Sequence, residues 1–237
     1  MAFELLMVTS EAWPLAKTGG LGDAVGGLAK ALRSGGTGVT ILMPAWRGTQ
    51  DQLAGMQRVT ELPDLPGGPA ELYAGYCPAL RCWVLLLRND ALYDRDSLYV
   101  TPDGEEYDDN AVRFAALSMA AARIAQGLPG VTVPAVVHAH DWHAALASVY
   151  MHQFGVQDIK TILTLHNVAF QGVYPMMPAE QLGLYPEYLT ADGLEYWGKL
   201  NFLKAGLLYS DCITVVSHNY AREILTLRFG CGLESVL

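Results

Sequence analysis

The sequence predicts an α/β domain built on a mostly parallel sheet with helices on both faces. Three observations carry this reading. Apolar runs of strand length alternate with apolar residues at helical spacing, glycine or proline falls between most of them, and polar clusters follow the carboxyl ends of three of the runs. The chain has 237 residues and is 51% apolar, enough core for one large domain or for half of a two-domain enzyme.

Phe3 to Thr9 reads as the first strand. Leu21, Val25, Leu28, Ala29 and Leu32 then recur at helical spacing, so Gly20 to Ser34 is expected to be a helix stopped by Gly35-Gly36, and Gly38 to Met43 a strand ended by Pro44. Together they form a βαβ unit. Between Met56 and Arg88 lie three strand-like pieces, the last from Arg81 to Leu87, broken by the turn-rich stretch Pro63 to Pro69; they predict an antiparallel edge. A polar loop from Asn89 to Glu106 leads into an alanine-rich buried helix, Asp108 to Gln126, closed by Gly127. Val133 to His138 is expected as a strand, Trp142 to Phe154 as a helix and Ile159 to Leu165 as a strand, followed by a loop rich in Gly, Pro and Tyr through Gly193. A helix from Leu200 to Tyr209, a strand from Cys212 to Val216 and a helix from His218 to Leu227 complete the order.

Open parallel sheets bind ligands beyond the carboxyl ends of their strands. Glu11 with Lys17, His140 to His143, and His166-Asn167 each follow such an end, so all three clusters are expected on one rim. The formal net charge of −9 argues against general attraction to nucleic acid or anionic membrane, so an anionic ligand needs locally placed cations. Cys77, Cys82, Cys212 and Cys231 include no C-x-x-C pair and read as buried or free thiols of a reducing compartment, with a Cys77 to Cys82 bridge as the alternative. The first residues lack a basic region ahead of a long apolar core, and no run reaches the ~18 apolar residues of a membrane span, so a cytosolic location is expected.

Lys17-Thr18-Gly19-Gly20-Leu21-Gly22-Asp23 sits between the first strand and the first helix. Glycines let backbone amides approach a ligand, and the helix start adds partial positive charge, so the stretch reads as an anion cradle completed by Lys17. A helix packed closely on the sheet is a second reading. A dinucleotide site is a third, opposed by the long Ser10 to Gly19 loop and by a second strand ending at Met43-Pro44, where an acidic ribose ligand is expected.

His138-Ala139-His140-Asp141-Trp142-His143 invites a metal reading, but its spacing argues otherwise. His138 and His140 share one face of a strand, Asp141 fits a helix N-cap, and His143 then points elsewhere. Trp142 at a rim is a platform for the apolar face of a sugar. The acidic run Asp103 to Asp109 lacks calcium-loop spacing and reads as a solvated loop.

Read in order, these residues resemble the bacterial glycogen synthase and plant starch synthase family of retaining glycosyltransferases. The resemblance rests on Ser10-Glu11, Lys17 to Asp23, Leu92-Tyr93-Asp94-Arg95, Val137 to His143, Thr164 to Asn167, Gln171-Gly172, Phe202 to Gly206 and Val216-Ser217, spread over almost the whole chain. Ala29 stands where the family often has proline, and Val168 and Phe170 where other aliphatic and aromatic residues are common. The resemblance implies a GT-B architecture of two Rossmann-like halves, with residues 1–237 as the N-terminal catalytic domain and the C-terminal, nucleotide-binding half absent from this chain. It implies transfer of glucose from ADP-glucose to the non-reducing 4-OH of an α-1,4-glucan with retention and without a metal or other cofactor. An isolated half is then expected to be inactive.

By the same resemblance His166 and Asp141 are the expected catalytic-site residues, His166 beside the transferred glucose and Asp141 on a sugar hydroxyl or bracing the site. Lys17, Gly19 and Gly20 would hold the donor diphosphate, and Glu11, Tyr93, Trp142 and Asn167 would line the acceptor channel. A related sugar-nucleotide transferase with another acceptor and a non-catalytic glucan-binding module are the alternatives.

Overall fold

The computed structural model describes residues 4–237; Phe3, the expected start of the first strand, lies outside the described residues. In chain order the elements are β1 (Glu4–Val8), α1 (Gly20–Ser34), β2 (Gly38–Pro44), β3 (Ala54–Leu62), β4 (Ala70–Cys77), β5 (Cys82–Arg88), α2 (Asp90–Tyr93), α3 (Asn110–Gln126), β6 (Val136–His140), α4 (Leu146–Gln153), β7 (Lys160–Leu165), β8 (Val173–Pro175), β9 (Glu195–Tyr196), β10 (Lys199–Asn201), α5 (Phe202–Tyr209), β11 (Cys212–Val215) and α6 (His218–Glu223).

Among the described residues one sheet runs in the order β11-β7-β6-β1-β2-β5-β4-β3. It is parallel from β11 to β5 and antiparallel at β5-β4-β3, the edge expected from the hairpin-like stretch. The β1-α1-β2 crossover steps one way along the sheet and β6-α4-β7 the other, so right-handed connections put α1 and α4 on opposite faces. α3, α4 and α5 pack side by side on one of them. The alanines of α3 make this possible: Ala115, Ala116, Ala120, Ala121 and Ala122 are buried, and small side chains let neighbouring elements approach. No helix among the described residues is long and apolar enough to cross a membrane. All four cysteines are free, Cys77 and Cys82 buried, Cys212 and Cys231 exposed.

Several boundaries differ from the sequence reading for physical reasons. The strand expected over 133–138 runs instead from Val136 to His140, because Pro134 has no N–H for the ladder. His138 and His140 are therefore inside the sheet. The helix expected from Trp142 begins only at Leu146, after a turn in which Asp141 takes a left-handed φ of 56°. The last helix ends at Glu223 rather than Leu227. The long loop to Gly193 is not featureless: β8 pairs with β10 and β10 with β9 to make a small antiparallel sheet, and Asn201 caps α5 by accepting from the Lys204 amide.

Candidate active site

The carboxyl ends of β1, β6 and β7 open onto a cleft of about 820 Å³. Glu11, Gly19 and Gly20 from the first loop, Asp141 to His143 from the second and His166-Asn167 from the third all line it, so each expected cluster reaches this rim, although Lys17 and His140 are not among the lining residues.

Glu11 organises the first loop. Its side chain is 2% exposed, and Oε2 accepts from the amides of Thr18 (2.7 Å) and Gly19 (3.2 Å). Oε1 accepts from the Thr18 hydroxyl (2.7 Å) and the Tyr99 hydroxyl (2.6 Å). A carboxylate of the chain itself thus sits in the front of the glycine-rich turn. Behind it Gly22 and Gly26 are there for packing: a side chain at Gly22 would lie 3.1 Å from the Ala16 carbonyl oxygen, and one at Gly26 would collide with the Trp13 carbonyl. Gly19 and Gly20 are different, since a methyl group on either would meet no protein atom within 4 Å. The open side of the turn is space, and Gly20 and Leu21 face it at the start of α1, where helix amides lack internal partners.

The second and third loops are tied together by Asp141. Its Oδ1 accepts from the amides of His166 (2.7 Å) and Asn167 (3.4 Å), 25 and 26 residues further on. Burial pushes its carboxyl up to about 7, against the opposing pull of those two amides. His166 Nε2 lies 3.1 Å from His140 Nδ1, and burial pushes His166 down to about 4. His143 stacks on Trp142 with ring centroids 4.0 Å apart, and burial pushes it down to about 3. These imidazoles are neutral at pH 7. No lysine or arginine lines the cleft among the described residues, whereas Glu11, Glu106 and Asp141 do.

A family model described as the starch synthase catalytic domain matches residues 4–237. The chain belongs to that family. The glycogen synthase of Bordetella bronchiseptica is 56% identical over 236 residues, which are 98% of this chain and 46% of the relative. That of Ralstonia nicotianae is 49% identical over 238 residues, covering 100% of this chain and 43% of the relative. Among solved structures, the catalytic domain of starch synthase IV from Arabidopsis thaliana, bound to ADP and acarbose, superposes with a TM-score of 0.82 at 26% identity, over 100% of this chain and 49% of that one. The chain spans about half the length of the curated relatives it matches.

Within this family member four expected site residues stand differently from the sequence reading. Tyr93 is 1% exposed, donates its hydroxyl to the Arg113 carbonyl at 2.7 Å, and lies in the core rather than on the cleft wall. Lys17 turns away to Asp23, 2.5 Å from Oδ2, because the first turn of α1 offers a carboxylate close by. Both partners are exposed, so that pair is worth at most about 1 kcal/mol. Asp141 is not an N-cap: a left-handed φ is the wrong backbone for one, and its acceptor serves the neighbouring loop. Trp142 is 7% exposed, with His143 on one face and Gly172 so close that a Cβ there would lie 2.5 Å from Cε3; it braces the wall and offers no free face.

Asn167 is exposed on the cleft wall, with Oδ1 accepting from the Ala169 amide. Two wall residues carry no sequence signal for a site: Tyr99, from the polar loop, and Phe170, 65% exposed at the mouth. Phe170, not Trp142, is the aromatic side chain exposed on this wall.

Asp141→Asn tests the electrostatics. The raised carboxyl holds a proton in the folded chain that the unfolded chain releases near pH 4, so between about pH 4 and 7 rising pH removes stability. Asparagine keeps the Oδ1 acceptor and removes the charge. The variant should be more stable than the parent at pH 8, by up to about 4 kcal/mol, and equal to it at pH 4. Chemical denaturation at the two pH values measures this, and an unchanged difference would contradict a buried carboxylate.

Proposed function

We propose that this chain is the acceptor-side, N-terminal half of a cytoplasmic glucan synthase that transfers glucose from ADP-glucose to the 4-OH of an α-1,4-glucan with retention. The observation that carries the reading is the unfilled space beside Gly19 and Gly20, at the start of α1 and in the same cleft as Asp141 and His166. A diphosphate fits a helix start, where free amides and the helix dipole favour anionic oxygens. The glycogen synthase relatives and the ADP and acarbose held by the starch synthase IV domain support the same donor and acceptor classes.

In this reading the Gly20 amide meets the departing diphosphate, while the Gly19 amide, bonded to Glu11, braces the turn. Lys17 reaches the anion by leaving Asp23, a weak surface pair. The developing charge on a leaving diphosphate is the main electrostatic demand of glycosyl transfer. A wall without lysine or arginine does not meet it alone, so the remaining cations belong to a second, C-terminal half. Asp141 Oδ2, which makes no hydrogen bond within the described residues, takes a sugar hydroxyl. His166 holds the transferred glucose in place, and Glu11 shapes the channel from behind. Phe170 and Asn167 offer an apolar face and a polar edge to the glucan at the mouth. The absence of cationic wall residues also favours glucan binding without transfer when the chain acts by itself.

Mixing the chain with ADP-glucose and a maltooligosaccharide, with and without a C-terminal half from a longer relative, tests the reading. No turnover is expected alone and transfer is expected with both halves, because one lobe cannot position donor and acceptor together. Turnover by the isolated chain would overturn the half-site reading. Gly20→Ala sharpens the test. With no protein atom near the new methyl, its melting temperature should hold or rise slightly, while ADP-glucose affinity in the two-lobe enzyme falls about tenfold or more. Unchanged affinity would remove the diphosphate from this position.

A further inference from the structure

His140 lies at the end of β6 and is completely buried. One ring nitrogen, Nδ1, is 3.1 Å from His166 Nε2; the other, Nε2, is buried with no hydrogen-bond partner. The ring also lies tilted against His138, centroids 4.2 Å apart, whose own Nε2 is engaged by the Thr164 hydroxyl at 2.6 Å. His166 turns Nε2 inward to this group, lines the cleft, and makes no protein hydrogen bond through Nδ1 among the described residues.

Two neutral imidazoles sharing one nitrogen-to-nitrogen contact have two ways to place their protons. If His166 donates from Nε2, His140 must carry its proton on Nε2, where a buried N–H finds no acceptor. If His140 donates from Nδ1, its Nε2 keeps only a lone pair, and every N–H of the pair has a partner or an outlet to the cleft. Buried donors without acceptors are the rarer and costlier defect. We propose that His140 is a positioning residue that fixes His166 as the Nδ1–H tautomer, so that this point of the cleft wall is a hydrogen-bond donor and selects a ligand oxygen acting as acceptor. The tautomer follows from the pair alone. That the acceptor is a hydroxyl oxygen of the transferred sugar rests on the function proposed above.

Long-range proton–nitrogen correlation spectra of the nitrogen-15-labelled chain read the tautomer directly. The His166 signals are assigned by their loss in His166→Gln. Nδ1 should appear protonated and Nε2 as a lone-pair nitrogen; the reverse, or an average of both, overturns the proposal. His140→Asn places an amide N–H where Nδ1 was and should keep the pattern, whereas His140→Phe, of similar size, should let the two His166 forms average. A His166 that stays Nδ1–H in the folded His140→Phe variant also overturns it.

With both halves present, His140→Phe should lower kcat about tenfold, and His140→Asn should restore most of it, the scale of one lost hydrogen bond. If the spectra come out as expected but His140→Phe leaves kcat unchanged, the tautomer assignment stands and the role of His166 in transfer falls.

Discussion

Lowering the pH from 7 to 5 should destabilise this domain by about 3 kcal/mol or more and lower its melting temperature by roughly 6–12 °C. The cause is the buried histidine group under the cleft. Burial pushes His138 and His166 down to about 4, His143 down to about 3 and His140 well below its ordinary value. Above pH 6.5 folded and unfolded chains both hold these rings neutral. As pH falls below 6.5 the unfolded chain takes up protons that the folded chain refuses; His138, His166 and His143 each cost about 2 kcal/mol by pH 5, and His140 shifts stability in the same direction. Asp141 works the other way, since the folded carboxyl keeps its proton up to about 7, and it returns about 2 kcal/mol over the same interval. Four rings outweigh one carboxyl. Against a typical total stability of about 5–15 kcal/mol, the loss is large. Differential scanning calorimetry at pH 7, 6 and 5 checks it, and a flat profile would mean that these rings are not buried as neutral groups.

Lys204→Met should cost about 3–5 kcal/mol, with the damage centred on the chain around Gly193. Lys204 is buried in the first turn of α5, where the helix dipole disfavours a cation. It is held because its ammonium donates to three backbone carbonyls, those of Gly193 and Glu195 at 2.9 Å each and that of Ala191. Methionine fills the volume and leaves all three acceptors without a donor. The segment matters to the cleft because β9, β10 and β8 form one small sheet, and β8 follows directly on Gly172, which packs against Trp142. A melting-temperature drop of roughly 10 °C is expected. An unchanged value would show that the carbonyls are satisfied in some other way.

What the sequence discloses is what local spacing determines. Gly20 to Ser34 is readable to the residue because the apolar stripe and the glycine stop lie within or beside the helix itself. The rim clusters are readable because strand ends are local features of the chain. Asp141 reads as a cap in the sequence because its actual partners, the His166 and Asn167 amides, come from a loop 25 residues away. The motif around Tyr93 points to a channel, but the burial of this side chain is decided by α3, through the Arg113 carbonyl, and by Trp46. The Lys17 motif is legible while its resting partner is not, since a flexible side chain chooses among carboxylates only after the turn is folded. Small two- and three-residue strands such as β8 to β10 are too short to show alternation at all.

Because the Glu11 carboxylate already occupies the Thr18 and Gly19 amides, the glycine-rich turn is held by the chain's own contacts and needs no anion to arrange it. If the diphosphate proposed above binds here, it meets a preformed seat, and the entropy of freezing that seat is not subtracted from its affinity.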